Sequence, residues 1–107
     1  MIELRRYQRP DGKVPLTEWL AELRDPRAKA KLQVRLRRLS VGITGDAKSV
    51  GEGVYELRER TGPGYRLYYG RHGMSLVVLL CAGDKGTQRA EIKRAKQYWN
   101  DWKRRNS

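Results

Sequence analysis

Apolar residues recur along this chain with two different periods, and the change of period divides it into elements. Residues 2 to 9 alternate roughly, with Ile2 and Leu4 on one face and Tyr7 on the other, which predicts a short first strand closed by the turn at Pro10-Asp11-Gly12. Leu16, Trp19, Leu20 and Leu23 then follow at helical spacing behind Pro15, a residue suited to a first helical turn. Asp25-Pro26 restarts the chain as an N-cap followed by a first helical residue. The second helix presents Ala28, Leu32, Leu36 and Leu39 as one stripe and ends near Gly42. So short a connection predicts a helical hairpin. Residues 42 to 53 hold four glycines and read as a mobile loop carrying Lys48.

Three strand signals come next. Residues 54 to 60 place Tyr55 and Leu57 on one face and Arg58 and Arg60 on the other. Beyond Gly62-Pro63-Gly64, residues 65 to 71 place Tyr65, Leu67 and Tyr69 on one face and Arg66 and Tyr68 on the other. After His72-Gly73, residues 74 to 82 are apolar without alternation, as in a strand covered on both sides. A last helix starts at Asp84 or Thr87 and gathers Ile92, Ala95, Trp99 and Trp102 on one face. The order β-α-α-β-β-β-α describes a single α+β domain over residues 1–107, with a helical hairpin and a C-terminal helix packed on a small, mainly antiparallel sheet.

Charge adds what the apolar pattern cannot. Lysine and arginine number 24 against 12 acids, a formal net charge of +12. The excess is spread over both halves and is therefore built into the domain, which points to a polyanionic partner such as nucleic acid. The second helix carries Arg27, Lys29, Lys31, Arg35, Arg37 and Arg38 without an intervening acid. The chain closes with Lys103-Arg104-Arg105. No apolar run approaches a membrane span and no apolar leader opens the chain, so a cytoplasmic protein is expected. The lone Cys81 excludes an internal disulfide framework and a multi-Cys zinc site, and a single His makes a His-based metal site or a Ser-His-Asp triad hard to assemble. Chemistry without metal or cofactor is expected.

The simplest meander register brings Arg58, Arg60, Arg66 and Tyr68 to one sheet face, with Lys85 just past the end of the third strand of the meander. Arginine forks bind phosphate oxygens, and tyrosine stacks on bases. Cleavage of RNA by its own 2′-hydroxyl needs a proton acceptor, stabilisation of a crowded phosphate and a proton donor for the leaving 5′-oxygen. The arginines suit the second task, leaving the proton transfers to Lys85 or Tyr68. Both groups ionise near pH 10, and neighbouring cations are expected to lower them.

Three stretches together resemble the RelE/ParE toxin superfamily: Val50-Gly-Glu-Gly-Val-Tyr-Glu-Leu-Arg58, Gly62-Pro-Gly-Tyr-Arg-Leu-Tyr-Tyr69, and Leu79-Leu-Cys-Ala-Gly-Asp-Lys85 with Thr87-Gln88. The likeness is greatest to its phage-derived, HigB-like "addiction module killer protein" branch, and Pro15-Leu16, Glu18-Trp19-Leu20, Ala95 and Tyr98-Trp99 also fit it. The resemblance implies a RelE-like fold and the toxin of a type II toxin–antitoxin pair, an mRNA interferase that cleaves ribosome-bound mRNA without a metal. It implies that Arg58 and Arg66 hold the scissile phosphate, that Lys85 moves protons and that Tyr68 orients or stacks. Arg60 and Tyr98 are further candidates for RNA contact, as are Lys48 and, on the basic helix, Arg35 and Arg38. The implied partner is a helix-turn-helix antitoxin, through which the pair would bind operator DNA. ParE-like relatives instead inhibit DNA gyrase without catalysis, and a plain nucleic-acid-binding module is a third reading.

Overall fold

The computed structural model describes residues 1–107. In chain order it contains β1 (Glu3–Arg6), α1 (Pro15–Glu22), α2 (Pro26–Ser40), β2 (Ala47–Gly51), β3 (Val54–Glu59), β4 (Tyr65–His72), β5 (Leu76–Asp84), a single 3-10 turn (Lys85–Thr87) and α3 (Gln88–Arg105). The strands form one five-stranded sheet in the order β1-β5-β4-β3-β2. β1 runs parallel to β5, and the other three pairings are antiparallel. The α+β class and the meander therefore stand as expected.

The glycine-rich segment differs from expectation, because it holds a strand. β2 pairs with β3 through Ala47↔Leu57, Lys48↔Glu56 and Ser49↔Tyr55. Its glycines do not dissolve it: Gly51 and Gly53 take positive φ and make the bulge and tight turn into β3. A strand this polar gives little apolar alternation to read, and it forms because the edge of β3 offers backbone partners.

The two faces of the sheet are packed differently. α1 lies against β5 and α2 against β3, burying Leu16, Leu20, Leu32 and Leu39 on Leu57, Leu67, Tyr69, Val77 and Leu79. The helices are neighbours on that face, but each meets the sheet more than it meets the other, so the hairpin is a looser unit than its short connection suggests. Asp25 caps α2 as expected, its side chain accepting from the Ala28 amide at 3.0 Å. α3 covers the other face, burying Ala95, Trp99 and Trp102 on Val54, Tyr68, Val78 and Leu80. Gly70 is the contact point. A Cβ there would clash with the Trp99 ring, so only glycine lets the indole pack this close to β4. No helix is long and apolar enough to cross a membrane.

Candidate functional site

Two rows of side chains cross the α3 face of the sheet near the start of that helix, the inner one running beneath it. Directly paired residues share a face, so the Arg58↔Arg66 and Arg66↔Gly83 pairings put both guanidiniums in one row. The adjacent row runs Lys48↔Glu56, Glu56↔Tyr68 and Tyr68↔Cys81. Lys85 opens the 3-10 turn immediately after β5, and its amide donates to the Gly64 carbonyl at 3.0 Å. A Cβ on Gly64 would sit 3.8 Å from Arg66 Nη1. Gly64 thus holds the Lys85 backbone at the turn that precedes Arg66, and its φ of +86° favours a residue without a side chain there.

Both central arginines carry a carboxylate partner that sequence reading passed over. Arg58 donates to Asp46 Oδ1 through Nη2 at 2.8 Å and through Nε at 3.1 Å. Arg60 is 84% exposed and approaches Asp46 Oδ2 at 3.5 Å. The hydrogen bonds from Arg58 hold the Asp46 carboxyl below the usual range. Arg66 is 14% exposed and faces Glu56, with Nε to Oε2 at 3.6 Å. Glu56 is wholly buried, and its Oε2 accepts from Tyr68 Oη and Gln88 Nε2, both at 2.9 Å. The three arginines Arg58, Arg60 and Arg66 thus face two carboxylates, Asp46 and Glu56.

Tyr68 requires the main correction. It lies on the expected face, beside Arg66, but α3 covers it completely and its hydroxyl donates to Glu56. Burial, reinforced by that hydrogen bond and by the Glu56 charge, raises its pKa well above the ordinary phenol value, against the lowering expected from nearby cations. Its ring is covered, and its hydroxyl faces Glu56 rather than solvent. The alternation of β4 was legible, but the helix lying over it was not.

The other candidates separate by location. Lys48 is exposed on β2 within the patch. Arg35 is turned inward: its guanidinium donates to the carbonyls of Arg58 (2.6 Å), Asp46 (3.2 Å) and Thr44 (3.3 Å) and pairs with Glu59 at 3.5 Å. It braces Arg58 on β3 against the Thr44–Asp46 segment that leads into β2. Arg38 is exposed on α2, lining a shallow groove with Lys31, Val34 and Glu59 on the side of the sheet opposite the arginine row. Tyr98 stacks on Tyr7 with centroids 4.8 Å apart, in a cleft of about 330 Å³ between α1 and α3, and so lies outside the patch. Glu56, Asp46 and Gln88 were missed. The available signal for Glu56 was its place two residues before Arg58 on the same face.

This fold and site define a small, strongly basic α+β protein with a paired-arginine surface at one end of its sheet. The chain matches the model of the phage-derived Gp49-like protein family (DUF891) over residues 18–100, and it belongs to that family, one of RelE-like addiction-module killer proteins. It is also 51% identical over 78 residues to an uncharacterized protein of Haemophilus influenzae, covering 73% of this chain and 79% of that one.

Proposed function

We propose that this protein is the toxin of a type II toxin–antitoxin pair and arrests growth by cleaving ribosome-bound mRNA. The observation that carries the reading is the cross-strand Arg58–Arg66 pair, with the Lys85 backbone bonded to the Gly64 turn that precedes Arg66. In this reading Arg66 and Arg58 take the phosphate oxygens as negative charge grows on them, each shifting part of its charge from its carboxylate partner to the substrate. Lys85, exposed at the start of the 3-10 turn, carries the proton transfers. Arg60 and Lys48 contact flanking phosphates. Tyr68 acts only from beneath, through Glu56. No metal takes part, and the antitoxin is a helix-turn-helix protein that masks the patch and brings the pair to operator DNA.

Primer-extension mapping of transcripts after induced expression tests this. Cuts within translated codons are expected, and Arg66→Ala and Lys85→Ala should each abolish them and relieve growth arrest. One observation favours a second reading, ParE-like inhibition of DNA gyrase. Arg58 and Arg66 already hold Asp46 and Glu56, as purely structural arginines would. Intact mRNA together with inhibited supercoiling would select that reading instead.

A further inference from the structure

Glu56 is the most improbable residue on the sheet in energetic terms. A carboxylate with no exposure sits where α3 meets β3 and β4, a place an aliphatic side chain would fill without penalty. Its hydrogen bonds are one-sided. Oε2 takes Tyr68 and Gln88 and lies nearest Arg66, while Oε1 has no partner. Arg66 Nε is likewise buried without a partner, since 3.6 Å is too long for a hydrogen bond. The guanidinium is therefore held by charge and enclosure, with its Nε edge inward and Nη1 toward the Gly64 turn. Tyr68 from β4 and Gln88 from the start of α3 fix the carboxylate in turn, so one helix and two strands converge on the aim of one arginine.

We infer that Glu56 is a positioning residue that orients Arg66 for an anionic ligand, with Tyr68 and Gln88 as the supports that hold its carboxylate. Glu56 itself touches no substrate. The ligand is a phosphodiester of single-stranded RNA, and to that extent the inference rests on the function proposed above. The orientation of Arg66 is a property of the free protein and is tested separately.

The experiment uses the Arg66 Nε–H resonance of ¹⁵N-labelled protein, assigned with Arg66→Lys, and adds a 2′-O-methyl RNA oligonucleotide that cannot be cleaved. In the wild type this proton should exchange slowly and shift on RNA addition. Glu56→Gln, which keeps the shape and removes the charge, should broaden it into solvent exchange. With cleavable RNA, Glu56→Gln should lower kcat about 100-fold, the scale of a misaligned group, and leave KM within about threefold. The double variant Glu56→Gln/Arg66→Lys should be no worse than Arg66→Lys alone. Gln88→Ala removes one support at a half-exposed position, and it carries the test if Glu56→Gln does not fold. It should show the same exchange broadening to a smaller degree. An unchanged Nε–H signal in a folded Glu56→Gln or Gln88→Ala protein overturns the inference. So does a fall in kcat at unchanged KM that matches the fraction of protein unfolded at the assay temperature. If the wild type cleaves no RNA, the nuclease reading fails, and the resonance still decides the role of Glu56.

Discussion

Replacing Arg35 by Met separates a brace from a docking residue. The substitution keeps the aliphatic stem and removes a guanidinium that is 13% exposed. It breaks the 2.6 Å bond to the Arg58 carbonyl, two weaker bonds to Thr44 and Asp46, and the pairing with Glu59, which is equally enclosed. Charged hydrogen bonds contribute about 1.5–3 kcal/mol each, and removing one member of a buried pair costs about 3–5 kcal/mol. The two longer bonds share one nitrogen, and the freed carbonyls lie near the surface, so the lower end applies, about 3 kcal/mol. That is a large share of the roughly 5–15 kcal/mol that holds a domain together. At about 4–8 °C per kcal/mol for a domain of this size, Tm should fall by about 12–24 °C. Arg38→Met, one turn further along α2 and exposed, should stay within about 0.5 kcal/mol of the wild type. Thermal melts followed by circular dichroism measure both. Equal melting temperatures for the two variants would refute the bracing role and return Arg35 to the solvent-facing basic stripe.

Other substitutions probe the remaining contacts. Gly70→Ala drives a methyl into the Trp99 ring and should destabilise by about 1–3 kcal/mol, with a change in the near-ultraviolet signal of the stacked Trp99–Trp102 pair. Tyr7 donates to Asp101 at 2.7 Å, and burial followed by this bond raises its pKa to about 12. A raised folded-state value means that stability is present below about pH 10 and is lost as pH climbs through about 12, so Tyr7→Phe should flatten the alkaline limb of a stability–pH profile. Asp101 is shifted the opposite way, first by the Tyr7 hydrogen bond, so its contribution is present at neutral pH and lost on acidification below about pH 4, a loss that Asp101→Asn should remove. Lys48→Gln and Arg60→Gln should each reduce the salt dependence of binding to single-stranded RNA by about 0.7 in the log–log slope, and an unchanged slope would place those side chains off the RNA path.

What the sequence alone determined is local. Helical spacing marked all three helices, because a stripe at i, i+3 and i+4 forms a face whatever it packs against. Asp25-Pro26 marked the start of α2, because a cap acts on amides within the same few residues. Alternation put Arg58, Arg66 and Tyr68 on one side of the sheet, and the tight turn at Gly62-Pro63-Gly64 made their strands neighbours. The tertiary structure decided everything that depends on a second element arriving. α3 turned the solvent-facing Tyr68 of the strand pattern into a buried donor. The edge of β3 drew a polar, glycine-rich segment into β2. Arg35 left the basic stripe of α2 because three carbonyls and Glu59 came within reach of its long side chain. Asp46 and Glu56 became partners of the two central arginines by the same route. Periodicity gives the direction of a side chain from its own backbone, whereas its burial and its charge partners are set by residues distant in the chain, which only packing brings together.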